Sequence, residues 1–199
     1  MTKIKICGLF RPADIEYVNE ALPDYVGFVF AKSRRQVTMD QAERLRNDLK
    51  AAIQTVGVFV NAPLEDVVSL LKSGVIDLAQ LHGNEDDEYV ECVKAQTQCP
   101  IIKAVRVESG KDIHKEQNSS ADFLLLDHGS GGTGEVFDWK LAQGCRKPFF
   151  LAGGIHAGNV EHALEKLKPF AIDLSSGVET DGVKDKEKIL EIVRRVRND

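Results

Sequence analysis

Paired cysteines, an excess of basic charge and long apolar runs are all missing from this 199-residue sequence. The four cysteines, Cys7, Cys92, Cys99 and Cys145, include no Cys-x-x-Cys pair. In a chain of this length they read as free thiols of a reducing compartment, not as a disulfide framework. Lys and Arg number 26 against 31 Asp and Glu, a formal charge of -5, with no basic block. That sign argues against nucleic acid or an anionic membrane surface as partner. No stretch approaches the roughly 20 apolar residues that span a bilayer, and the opening MTKIKICGLF lacks the apolar segment of a signal peptide. The five histidines show no ligand-type spacing, so no metal site is expected. Linkers and low-complexity tracts are absent too. The expectation is one cytoplasmic domain over residues 1–199, with no nucleic-acid or membrane partner.

Hydrophobic residues make up 43% of the chain, enough to build a core. They fall into a recurring unit. Short β-branched or aromatic runs begin near Lys3, Tyr25, Thr55, Asp77, Ile101, Asp122, Pro148 and Phe170. Most are nearly continuously apolar, as strands covered on both faces should be. Helical stripes lie between them, such as Leu64, Val67, Val68 and Leu71, then Val160, Ala163, Leu164 and Leu167, then Ile189, Ile192, Val193 and Val196. Ile15, Val18 and Leu22 give a weaker stripe, as do Ala42, Leu45 and Leu49; the sixth, around Trp139 to Cys145, is poorly marked. Eight strands alternating with eight helices imply parallel pairing through crossovers. An open doubly wound sheet would suit that alternation, but the even count of eight favours a minimal (β/α)8 TIM barrel.

In such a barrel the chemistry gathers where strands end. The strand ends here carry Cys7-Gly8, Lys32 to Arg35, Gln80 to Gly83, Asp127, Gly153-Gly154 and Ser175-Ser176-Gly177. The last two groups suit a phosphate: glycines let several N–H groups approach one anion, and the serines add hydroxyl donors. Cys7 is either a small buried strand-end residue or a base that needs thiolate character. Asp127, closing the apolar run Phe123 to Leu126, is either an acid/base or a cap for the next loop. Arg35 is either a solvated charge or a fork for a ligand carboxylate. His82 suits a hydrogen-bonding role at its strand end.

Taken together the motifs resemble the phosphoribosylanthranilate isomerase family. They include KICG (Lys5 to Gly8), GFVF with KSxR (Gly27 to Arg35), VGVFVN (Val56 to Asn61), QLHG (Gln80 to Gly83), LLLD (Leu124 to Asp127), GGTGxxFDW (Gly131 to Trp139), LAGGI (Leu151 to Ile155) and DLSSGVE (Asp173 to Glu179). The resemblance implies a minimal barrel and an Amadori rearrangement in tryptophan biosynthesis, converting N-(5-phosphoribosyl)anthranilate to 1-(2-carboxyphenylamino)-1-deoxyribulose 5-phosphate. It implies Cys7 as general base and Asp127 as general acid. Arg35 would hold the anthranilate carboxylate, with His82 near the aromatic ring. Gly153, Gly154, Ser175, Ser176 and Gly177 would hold the phosphate. Gly131 to Gly134 would form a cover over the substrate. No metal, redox or organic cofactor is implied, and monomer and homodimer both remain open. The sequence departs from the family at Phe10-Arg11, Ala157 and Asp181, the last two at positions where proline is common. A rival is the histidine-pathway isomerase of the same chemistry, which places an aspartate where Cys7 stands. A second is a phosphate-ligand binding protein on the same fold with no catalysis.

Overall fold

The structure, a computed structural model, describes residues 1–128 and 138–197. Its strands are β1 (Lys3–Cys7), β2 (Tyr25–Val29), β3 (Gln54–Phe59), β4 (Leu78–Leu81), β5 (Ile101–Arg106), β6 (Phe123–Asp127), β7 (Phe149–Leu151) and β8 (Ala171–Leu174). Neighbours in sequence pair in parallel, and β8 pairs with β1, so the sheet closes into the expected barrel. Each strand begins within one residue of its apolar run. The cause is two-sided burial. Residues of one parity, including Tyr25, Val56, Leu78, Ile102, Leu125 and Phe150, fill the barrel interior. Residues of the other parity, such as Ile4, Ile6, Val26, Phe28, Leu124 and Ile172, pack outward beneath the helices.

The helices are α1 (Pro12–Ala21), α2 (Met39–Asn47), α3 (Leu64–Lys72), α4 (Asp87–Thr97), α5 (Gly110–Glu116), α6 (Val160–Leu167) and α7 (Lys186–Arg197). Val67, Val68 and Leu71 of α3, Val160, Ala163 and Leu164 of α6, and the whole expected stripe of α7 are buried. Leu22 departs from its stripe: it ends α1 in left-handed backbone at φ 56° and is 38% exposed, while Ala21 takes the buried place. The crossover after β6 also differs. Trp139–Gly144 forms a 3-10 helix with only Ala142 buried, because the segment lacks an i, i+3, i+4 stripe to bury. Among the described residues, seven α-helices and this 3-10 helix therefore stand where eight helices were expected. No helix of the described residues is long and apolar enough to cross a membrane.

After β8 comes a 3-10 turn at Ser176–Val178 and then a small antiparallel hairpin, Glu179–Thr180 against Val183–Lys184. Asp181 and Gly182 close the hairpin with φ 51° and 81°, the two left-handed positions of a tight primed turn. Proline cannot adopt that φ, which explains the departure at Asp181.

Phe150 is fully buried at the centre of the interior cluster. Phe150→Ala is expected to cost about 3–5 kcal/mol of stability, read from urea unfolding. A loss below about 1 kcal/mol would mean that the interior is not packed as described.

Candidate active site

Inward parity carries polar side chains to one rim. Cys7 follows Lys5 by two positions on β1, Asp127 follows Leu125 on β6, and Ser175 follows Asp173 beyond β8. One cavity there is lined by all nine sequence candidates: Cys7, Arg35, His82, Asp127, Gly153, Gly154, Ser175, Ser176 and Gly177. Val29, Val58, Leu125 and Ala152 give it an apolar floor and wall, while Gln80 and Asp173 add polar groups.

Cys7 is buried and pairs in register with Gly27 of β2. A Cβ on Gly27 would stand 2.6 Å from Cys7 Sγ, so glycine there makes room for the sulfur. Burial pushes the thiol above its ordinary pKa, while the neighbouring Lys5 ammonium pulls the other way.

Across the cavity His82 Nε2 lies 3.9 Å from Asp127 Oδ2, and Gln80 Nε2 lies 3.1 Å from His82 Nδ1. Burial pushes His82 below its ordinary pKa, although Asp127 opposes this. The ring is therefore neutral at pH 7. A neutral ring donates from one nitrogen and accepts at the other, so the contacts of Nδ1 with Gln80 and of Nε2 with Asp127 are linked through the tautomer. Asp127 Oδ1 accepts from the His128 N–H at 2.8 Å, which fixes the carboxyl at the end of its strand.

Arg35 is no solvated charge. Its guanidinium grips Glu179 with both forks, Nε to Oε1 at 2.7 Å and Nη2 to Oε2 at 2.8 Å. Arg34 and Lys184 bind the same carboxylate, each at 2.6 Å. Three cations share one anion, so this side of the rim carries surplus positive charge. Burial alone would raise the Glu179 pKa, but the hydrogen bonds from Arg35 and Lys184 outweigh it and hold the carboxyl at about 2.

After β7, Gly153 and Gly154 take left-handed backbone, φ 80° and 64°. Asn159 Nδ2 donates to the Gly154 carbonyl at 2.8 Å and fixes that turn. Gly177 lies so close to the Ile155 carbonyl that a Cβ would collide with it. The loops after β7 and β8 thus meet backbone to backbone, in the usual anion-binding position of such barrels. The suggested cover at Gly131 to Gly134 lies outside the described residues. Among the described residues no group of His, Cys, Asp and Glu could hold a metal ion.

Sequence reasoning assigned no role to Lys5, Gln80, Asp173, Glu179 or Gly27. Three of them left a signal, since Lys5, Gln80 and Asp173 are polar residues of inward parity within otherwise apolar strands. Glu179 left none, because its two arginine partners are 144 and 145 residues away.

Fold and rim together define the class: a (β/α)8-barrel enzyme whose polar side chains converge on one cavity at the strand ends. The family model described as N-(5'phosphoribosyl)anthranilate (PRA) isomerase matches residues 4–195, and the chain belongs to that isomerase family. The N-(5'-phosphoribosyl)anthranilate isomerase of Endomicrobium trichonymphae is 48% identical, covering 100% of both chains. The phosphoribosyl anthranilate isomerase from Thermotoga maritima superposes with a TM-score of 0.91 at 32% identity, again over 100% of both. A solved phosphoribosyl anthranilate isomerase in complex with reduced 1-(o-carboxyphenylamino)-1-deoxyribulose 5-phosphate superposes at 0.87 and 32% identity, with 100% of each chain covered.

The depressed pKa of Glu179 has a pH signature. A carboxyl lowered from 4.5 to about 2 on folding stabilises the fold fully above the unfolded value, and that stability is lost as pH falls through the folded value. Glu179→Gln should therefore lower the melting temperature at pH 7, with the gap to wild type closing as pH approaches 2. A gap independent of pH would contradict the assignment of this network.

Proposed function

We propose that the cavity performs the Amadori rearrangement of N-(5-phosphoribosyl)anthranilate, with Cys7 as general base and Asp127 as general acid. The single observation that carries this reading is the convergence of a thiol, a carboxyl, a guanidinium and a glycine-serine cradle on one cavity. Support for the substrate comes from the solved relative holding a reduced form of the rearranged product. In the scheme, the backbone of Gly153, Gly154 and Gly177 and the hydroxyls of Ser175 and Ser176 hold the phosphate. Arg35, steadied by Glu179, holds the anthranilate carboxylate, and His82 lies beside the aromatic ring.

The chemistry follows from charge. Asp127 gives its proton to the furanose oxygen; the ring opens and leaves an iminium at C1. That cation acidifies the C2 hydrogen, which the Cys7 thiolate removes, giving an enolamine and a neutral thiol. The neutral Cys7 thiol then protonates C1 and the Asp127 carboxylate takes the C2 hydroxyl proton, which yields the aminoketone. One proton is donated and one accepted on each side of the sugar, so acid and base each return to their starting state. Asp127 must begin protonated while Cys7 begins ionised, which requires different surroundings for the two. The sulfur has Lys5 at its side, whereas Asp127 faces a neutral His82.

A base of this kind must stay a free thiol. That requirement supports the expected cytoplasmic setting, and the four cysteines are unpaired here. The chain would work as a single domain over residues 1–199. Both monomer and homodimer remain compatible with the site; a Thermotoga maritima relative is described as dimeric, with monomers generated from it.

Purified protein is expected to consume phosphoribosylanthranilate, seen as loss of its anthranilate-type fluorescence, and to leave the corresponding histidine-pathway aminoaldose unchanged. Cys7→Ala and Asp127→Ala should each lower kcat by roughly 10²- to 10⁴-fold while a phosphate-bearing product analogue still binds. Near-normal turnover in either variant would refute that residue's role. Arg35→Ala should act mainly on KM, by about 1.5–3 kcal/mol in binding.

A further inference from the structure

Below the cavity lies a buried ion pair to which the scheme above gives no step. Lys5 has no exposure at all, and its ammonium donates to Asp173 Oδ2 at 2.9 Å. The two residues stand in direct register across the seam where β8 meets β1. Asp173 also lines the cavity, and its Oδ1 is buried with no hydrogen-bond partner among the described residues. Lys5 and Cys7, two apart on β1, project to the same inner side, which sets the ammonium beside the thiol as its nearest cation along the strand. Stability does not account for such an arrangement. The inner layers of these barrels are ordinarily bulky and branched, and a buried ion pair is often replaced by apolar residues at no loss of stability.

We propose that Lys5 is a positioning residue that holds a fixed positive charge against Cys7 so that the sulfur forms and keeps its thiolate, with Asp173 anchoring Lys5 and setting how much of that charge the sulfur feels. This rests on Cys7 being the base. Other charged groups surround the sulfur, and each is weaker or already neutralised. Lys184 reaches it from the hairpin and Arg35 from the loop after β2, but both are bound to Glu179. His82, the residue after β4, feels the charges of Asp127 of β6, Lys5, Asp173 and Glu85 of the loop after β4, and burial outweighs them and lowers its pKa. After burial, which pushes the thiol up, Lys5 is the largest influence on it and pulls it down, while Asp173 pushes it up. Burial also works against the charge on Lys5, but Asp173 and Cys7 outweigh it and keep the lysine protonated. The proton balance is simple. The thiol proton leaves to solvent, Lys5 keeps its own, and the thiolate later takes the C2 proton with the ion pair unchanged.

The test titrates the sulfur directly, following ultraviolet thiolate absorbance against pH with Cys7→Ser as blank. Lys5→Met should move the midpoint up, leaving on the order of tenfold less thiolate at neutral pH for each unit moved. Asp173→Asn should move it down, and the neutral pair Lys5→Met/Asp173→Asn should fall between wild type and Lys5→Met. The ascending limb of kcat/KM in Lys5→Met should rise by the same amount, with activity returning at high pH. A midpoint in Lys5→Met equal to wild type, or both single variants moving in one direction, overturns the proposal. If Lys5→Met does not fold, the double variant is compared with Asp173→Asn: the double must titrate higher, and coincidence overturns the proposal. Normal turnover by Cys7→Ala would instead overturn the base assignment while leaving the titration order intact, so the two failures are separable.

Discussion

The pairing of β8 with β1 is the constraint on which the site depends. That seam sets Lys5 opposite Asp173 and Ile6 opposite Leu174, and it carries the loop after β8 around to face the loop after β2. A shift of one residue would turn Lys5 and Cys7 outward beneath the helices, because side chains alternate along a strand. It would also part the glycine cradle from the sulfur. Closure therefore does two things at once: it removes the free sheet edges, and it gathers one polar rim from residues spread over most of the chain.

Two electrostatic assemblies sit on that frame, and they differ in kind. Inside the barrel, Lys5 and Asp173 form a nearly balanced pair in a medium where an unpaired charge would be very costly. At the rim, Glu179 gathers Arg34, Arg35 and Lys184, leaving positive charge in excess where a ligand carboxylate would arrive. The primed turn at Asp181-Gly182 is what holds Glu179 and Lys184 side by side in that second assembly. The sulfur of Cys7 lies between the two, close to a fixed cation and shielded from water.

Much of this was legible in the sequence because burial on two faces writes itself into a strand as an unbroken apolar run. All eight strands could be placed in this way, and so could the rim residues, since a polar side chain ending such a run must be on the barrel's chemical side. The helices of α3, α6 and α7 announced themselves by their stripes. Trp139–Gly144 did not, having almost nothing to bury, and Leu22 misled because chirality at a helix end overrode its apolar character. Lys5 and Asp173 were visible as charges inside apolar strands, yet their meeting across the seam required the closed register. Gly27 was silent, since a strand glycine shows no sign of the neighbour it makes room for. Glu179 was equally so, because its pairing with Arg34 and Arg35, so distant in sequence, leaves no local pattern.

The most direct measurement is a crystal structure of this protein with reduced 1-(o-carboxyphenylamino)-1-deoxyribulose 5-phosphate bound. The account requires the phosphate between the Gly153-Gly154 and Ser176-Gly177 backbones, and the carboxylate on Arg35. It also requires Cys7 Sγ and the Asp127 carboxyl on opposite sides of the C1–C2 region, each within roughly 3.5 Å of the atom it serves. A ligand whose phosphate lies on any other loop, or whose C2 faces away from the sulfur, would contradict it.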